Sequence, residues 1–373
     1  MTEQDTASSP PIKSNSPANT LTDRLLAWYD GNRRDLPWRS PPGEKPVPYH
    51  VWLSEVMLQQ TTVATVKPRF LAFLRRWPTV KALAGASLDE VLHEWQGLGY
   101  YARARNLHAC AVAVVRDHGG VFPPTEAGLL GLPGIGEYTA AAVAAITFGE
   151  ATSPVDGNII RVISRLNVID VLMPAGKKQI TAFVGKMVPA QRPGDFAQAM
   201  MDLGAMICTP RNPDCGGCPW AGGCRAHAEG NEEHFPVRKA KAEKPIRYGT
   251  VFWLVDGRGR VLLCRRPEKG LLGGMMEFPS TDWCALPWEE TDAVGEFPAS
   301  GAINTLQWLG VSGDVRHTFT HFHLILTVLT AQLSGSGEAL PGNGLWCTPD
   351  RFHEHALPTV MKKVAAHALN NRN

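Results

Sequence analysis

Cys208, Cys215, Cys218 and Cys224 fall within 17 residues as C-x6-C-x2-C-x5-C. Four thiols on so short a loop can converge on one point, and such a loop binds either a zinc ion or a [4Fe–4S] cube. Zinc ribbons more often use two close pairs held apart by a long spacer. Here there is one close pair, with the outer two cysteines reaching in from either side, which favours iron–sulfur over zinc. Chance clustering of four of the chain's eight cysteines is the bland alternative. No apolar run approaches the roughly 20 residues of a membrane span. The N-terminal stretch MTEQDTASSPPIKSNSPANT lacks the apolar core of a secretory signal and reads as a disordered tail over residues 1–20. The chain is therefore expected in the cytoplasm, associated with the nucleoid if bacterial. Thiols stay reduced there, so metal binding plus scattered core thiols explains the cysteines better than a disulfide framework.

At 373 residues the chain is long for one domain and comfortable for two. Helical signals fill Leu21 to Arg225: Leu21–Tyr29, Val51–Gln60, Thr61–Trp77, Leu88–Gln96, Arg103–His118, Tyr138–Phe148, Asn158–Leu166 and Gln198–Ile207, with prolines or glycines in most gaps. Residues 21–228 are expected to be an all-α domain. Residues 229–247 are charged and poor in large apolar side chains, as suits an exposed linker on which a partner could dock. Beyond it Val251–Val255 and Val261–Cys264 flank Asp256-Gly257-Arg258-Gly259, a hairpin signal. A further strand is expected from His317 to about Leu333. Pro358–Leu369 should close the chain as a helix with Met361, Val364, Ala365 and Ala368 on one stripe. Residues 248–373 thus read as α+β. A net charge of +2 neither supports nor excludes nucleic acid, since binding needs a local basic face.

Within the helical half, Leu132-Pro133-Gly134-Ile135-Gly136 enters the small-residue helix that starts at Tyr138. A Pro-Gly-x-Gly turn exposes backbone N–H groups that can hold a DNA phosphate; a ligand-free helix–helix turn is the alternative. Asp156 stands just ahead of a helix with Ile159, Ile160, Ile163 and Leu166 on its apolar face. Such an Asp is most often a cap. Helix dipole and N–H groups also favour its charged form, and an ionised carboxylate aimed at a sugar carbon is what an oxocarbenium-like transition state requires. The matching acid is Glu55, on a helical stripe with Val51, Trp52 and Leu58, where apolar neighbours should raise its pKa. A Glu with its head in water is the alternative there. Gln96-Gly97-Leu98-Gly99-Tyr100-Tyr101-Ala102-Arg103-Ala104-Arg105-Asn106 offers aromatics to wedge into a base stack and two arginines for nearby phosphates, or a solvated helix start.

In this order the segments SEVMLQQT (54–61), GLGYYARARNL (97–107), LPGIGEYTA (132–140), VDGNIIRV (155–162) and the cysteine loop resemble the helix-hairpin-helix DNA glycosylase superfamily, and within it the adenine DNA glycosylases of the MutY type. The resemblance implies a [4Fe–4S] cluster on the four cysteines. It implies that Glu55 protonates adenine and helps place the attacking water, and that Asp156 stabilises the oxocarbenium ion. Tyr138 and Asn158 would line the same pocket. Gln60 and Tyr100 would occupy or flank the gap beside the oxidised guanine, and Leu132, Gly134 and Gly136 would face DNA. Endonuclease III-like relatives carry lysine where this chain has Tyr138, and a phenol cannot form their Schiff base. The expectation is a monofunctional, monomeric enzyme acting on double-stranded DNA with adenine opposite 8-oxoguanine or guanine. The alternative is a bifunctional glycosylase and lyase of damaged pyrimidines.

RRPEKGLLGGMMEFP (265–279) resembles the Nudix-like recognition domain of MutY proteins. The Nudix hydrolase box is missing after Phe278-Pro279, and Glu289-Glu290 alone do not replace it, so this domain should bind and not hydrolyse. Phe319-Thr320-His321 resembles the family's Phe-Ser-His loop that reads 8-oxoguanine, with threonine for serine. Leu272 and Met276 stand in a stretch where the family often has tryptophans. A plain hairpin turn is the alternative for 319–321.

Overall fold

The computed structural model describes residues 20–239, 243–297, 306–333 and 344–371. Apart from Thr20, the tail expected over residues 1–20 lies outside them. In chain order the helices are α1 (Leu21–Asn32), α2 (Pro48–Leu58), α3 (Val63–Arg76), α4 (Val80–Ala84) and α5 (Leu88–Glu94). Then follow α6 (Ala102–His118), α7 (Glu126–Leu130), α8 (Glu137–Val143), α9 (Gly157–Asn167) and α10 (Lys177–Gly185). The last are α11 (Pro193–Asp202), α12 (Arg225–Glu229), α13 (Glu290–Gly295) and α14 (Thr359–Asn370). The strands are β1 (Ile246–Val255), β2 (Val261–Arg265), β3 (Met276–Glu277), β4 (Leu309–Thr318), β5 (His323–Gln332) and β6 (Gly344–Cys347). None of the described helices is long and apolar enough to cross a membrane. The chain divides into two compact units, one of residues 1–35, 124–126 and 137–239, the other of 36–123, 127–136 and 240–373.

The first unit is all helix. Thr20 and Asp23 close a capping box on α1, each satisfying a backbone N–H that the helix start leaves without a partner. α8 runs into a π-helical turn, Ala144–Phe148, and α11 into another, Leu203–Ile207. α9 supplies Ile159, Val162, Ile163 and Leu166 to the core, where they meet Leu25 and Tyr29 of α1 and Phe196 and Met200 of α11. Each such side chain taken out of water is worth about 1.5–3 kcal/mol. Val162 takes the place expected for Ile160, which is half-buried. Residues 229–239 are not a free linker: Phe235 is buried, and the Val237 carbonyl accepts from the Met173 N–H at 3.1 Å. The charged composition hid one apolar anchor.

The second unit holds the other helices and one mixed sheet. α2 is buried on nearly every side from Val51 to Met57 rather than along a single stripe, which makes it a central helix. Strand order is β3-β2-β1-β5-β4, with β6 also pairing β2. β1 and β5 run parallel from Ile246↔His323 to Val255↔Gln332, while the other pairs are antiparallel. Asp256 builds the β1–β2 turn, its carboxylate accepting from the N–H groups of Arg258 (2.9 Å) and Arg260 (2.8 Å). The single strand expected from His317 to Leu333 is the end of β4 and all of β5. A tight turn parts them, with Phe319 N–H bonded to the Phe322 carbonyl at 2.9 Å. α14 lays Val360, Met361, Val364, Ala365 and Ala368 against one face, over Trp253, Leu326 and Val328. Phe252, Leu254 and Phe297 fill the other.

Among the described glycines of the first unit, Gly194 comes closest to the backbone of another segment. A Cβ there would lie 2.7 Å from the Ala145 carbonyl oxygen and 2.8 Å from the Ile146 Cα, both backbone atoms that cannot swing aside. Gly194→Ala should therefore destabilise the protein by about 1–3 kcal/mol, the usual range for overpacking. A denaturation midpoint equal to that of the parent chain would refute this.

Candidate active site and metal centre

Asp156 is the N-cap of α9. Its Oδ1 accepts from the Ile159 N–H at 2.7 Å, and its Oδ2 from the Asn158 side-chain amide at 2.8 Å. Asn158 in turn receives Arg161 Nη2 on its Oδ1 at 2.9 Å. Arg161 is spent on further acceptors, the carbonyls of Cys208 (2.7 Å) and Gly204 (2.6 Å). Gly204 has to be glycine, because a Cβ would fall 2.6 Å from the Asn158 Cβ. Burial pushes the Asp156 carboxyl above the ordinary carboxylate range, against the pull of its hydrogen bonds and of Arg161. Desolvation thus works against the cap and outweighs it, so this carboxyl gives up its proton at a higher pH than an ordinary one. Tyr138, half-buried on α8, points its hydroxyl at the Met201 sulfur, 3.8 Å away.

The four cysteines line one cavity in the same unit, and all four are free thiols. Four convergent sulfurs with an apolar backing are the donor set an iron–sulfur cube takes. Trp220, fully buried, nails the loop to α1 through Nε1 to the Leu21 carbonyl at 2.7 Å. Arg165, also fully buried, donates to Cys208 Sγ at 3.4 Å and to the carbonyls of Thr209 and Pro210. Glu232 accepts from Cys215 Sγ at 3.4 Å and meets His227 Nδ1 at 2.7 Å. Neither buried arginine was singled out in the sequence. Their only signal there is a cation at i and i+4 on the apolar side of α9.

In the second unit Glu55 is buried, 6% exposed, within α2, not a glutamate with its head in water. Gln60 and Tyr100 are both exposed, and both hold left-handed backbone (φ 57° and 48°) without being glycine, a conformation that costs about 1–3 kcal/mol. Arg103 holds both loops. Its Nη1 donates to the carbonyls of Val56 (2.9 Å) and Met57 (3.0 Å) at the end of α2. Its Nη2 donates to Thr61 Oγ1 (3.1 Å) and to the carbonyls of Leu98 (2.8 Å) and Gly99 (3.2 Å). The guanidinium also lies over the rings of Trp95 and Tyr100, and burial lowers its pKa to about 10. Arg103 is thus unavailable to phosphates, and Arg105 bonds the Gly273 carbonyl; both corrections follow from carbonyls that the chain itself leaves to satisfy. In the 132–136 turn Leu132 and Ile135 are buried and Gly134 and Gly136 exposed. Leu132 accordingly serves as an anchor, with only its backbone left for DNA. Gly134 (φ 71°) is pressed so close to Asn106 that a Cβ would sit 2.4 Å from its Cβ.

Phe319, Thr320 and His321 form the β4–β5 turn. Phe319 stacks on Trp283 with centroids 5.7 Å apart and meets Phe322 and His317. Thr320 and His321 are exposed. The Thr320 hydroxyl lies 2.6 Å from the Tyr100 hydroxyl, so two positions far apart in sequence share one hydrogen bond. Among the described residues no hydrolase box forms: Glu289 and Glu290 start the short α13, and Glu277 is taken up by Arg266. Leu272 holds left-handed backbone (φ 58°), and Met276 is buried in β3.

Three family models match the chain: "HhH-GPD superfamily base excision DNA repair protein" over residues 53–189, "Iron-sulfur binding domain of endonuclease III" over 208–224, and "NUDIX domain" over 250–367. An adenine DNA glycosylase of Homo sapiens is 37% identical across 91% of this chain and 72% of its own length. One from Buchnera aphidicola subsp. Schizaphis graminum is 30% identical across 91% and 96%. A solved thermostable thymine-DNA glycosylase superposes with a TM-score of 0.50 at 29% identity, over 56% of this chain and 95% of its own.

The raised Asp156 carboxyl has a stability consequence. The unfolded chain ionises this group near its ordinary value of 3.8, the folded chain only at higher pH. Between those values the folded state binds the extra proton, so stability from this residue is full at low pH and is lost as pH rises through the folded value. The stability of Asp156→Asn relative to the parent should therefore improve as pH climbs from about 4 to neutrality, whatever its offset from the altered hydrogen bond. Urea titrations across that range giving a constant difference would overturn the assignment.

Proposed function

The chain belongs to the adenine DNA glycosylase family, and from that premise we propose that its substrate is duplex DNA with adenine opposite 8-oxoguanine or guanine, cut at the glycosidic bond alone. It is an enzyme of base excision repair that hydrolyses N-glycosyl bonds of DNA, and its cysteine loop binds a [4Fe–4S] cluster. When bound, the cluster supplies four thiolate–iron bonds that cross-link the loop through Cys208, Cys215, Cys218 and Cys224. Everything else is asked of this chain's own side chains.

In the proposed reaction Glu55 gives its proton to a ring nitrogen of adenine as the bond from the sugar C1′ breaks and its electron pair leaves with the base. General acid assistance of this kind is worth about 10²–10⁴-fold. Asp156, ionised, faces the positive charge that develops on the sugar. Water then adds to C1′ and its proton returns to Glu55, leaving an abasic site. Glu55 is buried in α2, and the Asn158 and Ile159 donors aim Asp156. Because the Asp156 carboxyl is raised, excision should weaken on the acid side as that group takes up a proton. Tyr138 offers no amine, so the strand stays uncut.

The observation that carries the lesion reading is the 2.6 Å approach of the Tyr100 and Thr320 hydroxyls. It brings the wedge loop and the β4–β5 turn to one point, where a single oxidised base can be read from both. Incubation with duplex holding adenine opposite 8-oxoguanine should give abasic sites that break only under alkali; breaks without alkali would sink the monofunctional reading. Asp156→Asn should lose excision and keep lesion binding, and unchanged turnover would remove Asp156 from the mechanism. Tyr100→Phe removes one hydrogen bond, about 1 kcal/mol, and should bring preference for 8-oxoguanine over guanine down roughly fivefold; an unaltered preference in competition binding would count against shared readout.

A further inference from the structure

One cleft of the second unit has no part in the excision chemistry. It measures about 320 Å³, at the small end of ligand sites, and lies among α3, α5, the Gly97–Tyr101 loop and the start of α14. Its walls carry Arg69, His93, His353, Thr359 and Lys362 against one carboxylate, Glu94. Glu94 is already shared with Arg76 at 3.6 Å. Among the described residues neither Arg69 nor Lys362 has a carboxylate partner; Lys362 donates to the Gln96 amide oxygen. Gly97, at φ 90°, leaves room for the guanidinium: a Cβ there would lie 3.2 Å from Arg69 Nη2. Tyr101 forms part of the same wall. The first turn of α14 follows Pro358, which provides no side-chain cap, so the helix adds its positive end to the same side.

A planar guanidinium, an ammonium and a hydroxyl around a small polar cleft match a tetrahedral oxyanion. We propose that this cleft binds a phosphate group, either a backbone phosphate of the DNA strand beside the Gly97–Tyr100 loop or the phosphate of a free small molecule. The DNA source rests on the proposed reading of the lesion by Tyr100; the free source does not.

The test uses the cluster-loaded full chain. Inorganic phosphate is titrated calorimetrically into the parent protein, Arg69→Gln, and Arg69→Gln combined with Lys362→Gln, with Lys178→Gln as a surface control. Binding at least tenfold weaker in the cleft variants and unchanged in the control is expected. In parallel, duplex affinity is followed against salt. A slope reduced by about one for each phosphate no longer neutralised assigns the cleft to the DNA backbone, whereas weakened phosphate binding with an unchanged slope assigns it to a free molecule. Phosphate affinity and salt slope both equal to the parent's overturn the proposal. Thermal melts verify folding, and should the double variant unfold, Arg69→Gln alone decides. Adenine excision by the parent protein, measured alongside, separates the two readings, because its failure would refute the glycosylase chemistry and leave the phosphate result standing.

Discussion

The guanidinium of Arg161 is the constraint on which the first unit depends. It can only donate, and its donors go to the carbonyls of Cys208 and Gly204 and to Oδ1 of Asn158. An amide that gives its oxygen to an arginine must turn its nitrogen the other way, here toward Asp156. Three elements are thereby set at once: the first residue of the metal loop, the π-helical turn before it, and the orientation of the amide that steadies the carboxylate. A buried cation satisfied by neutral acceptors is costly to disturb, on the order of 3–5 kcal/mol when a partner is removed. The cysteine loop and the Asp156 carboxylate are therefore one structural object, although 52 residues separate Asp156 from Cys208.

Much of this was legible in the sequence because the signals were local. The cysteine spacing, the Asp at a helix start, the glycines of the 132–136 turn and the Asp-Gly hairpin before β2 each act within a few residues, and each stands where it was expected. Long helices with a clear period, such as α6 and α14, were read to within a residue or two at their ends. The short elements α4, α7, α10, α13 and β6 were not, since a turn or two of chain carries too little periodicity to rise above its neighbours. The loop at Phe319–His321 was legible from its motif, but the strand drawn from His317 to Leu333 ran across it, because β-branched and aromatic residues continue through the turn that packs on Trp283.

Arginine was the residue that sequence reasoning misplaced most. Arg103 and Arg105 stand in the first turn of α6, in a segment that looks made for phosphates, yet one is buried among five acceptors of its own unit and the other donates to the Gly273 carbonyl. Arg265 pairs with Asp89, and Gln96 with the His355 carbonyl. The cations and amides of this unit are largely spent on tying helices to sheet, and only burial and partner geometry tell a structural arginine from a free one. The electrostatics of Asp156 make the same point from the other side, since exposure, invisible in sequence, decides whether the cap or desolvation prevails.

The left-handed backbone at Gln60 and Tyr100, clamped through Arg103, bears on how quickly such a protein can inspect DNA. A loop that had to reorganise at every base pair would spend its dwell time on conformational search. Here the unfavourable dihedrals are fixed during folding, once, and the loop is already shaped before any ligand arrives. If Tyr100 is the wedge, the resistance it encounters comes from the stacking of the DNA alone. Intact pairs would then be rejected mechanically, before any chemistry is engaged, and the time spent at each of the many undamaged sites would be short.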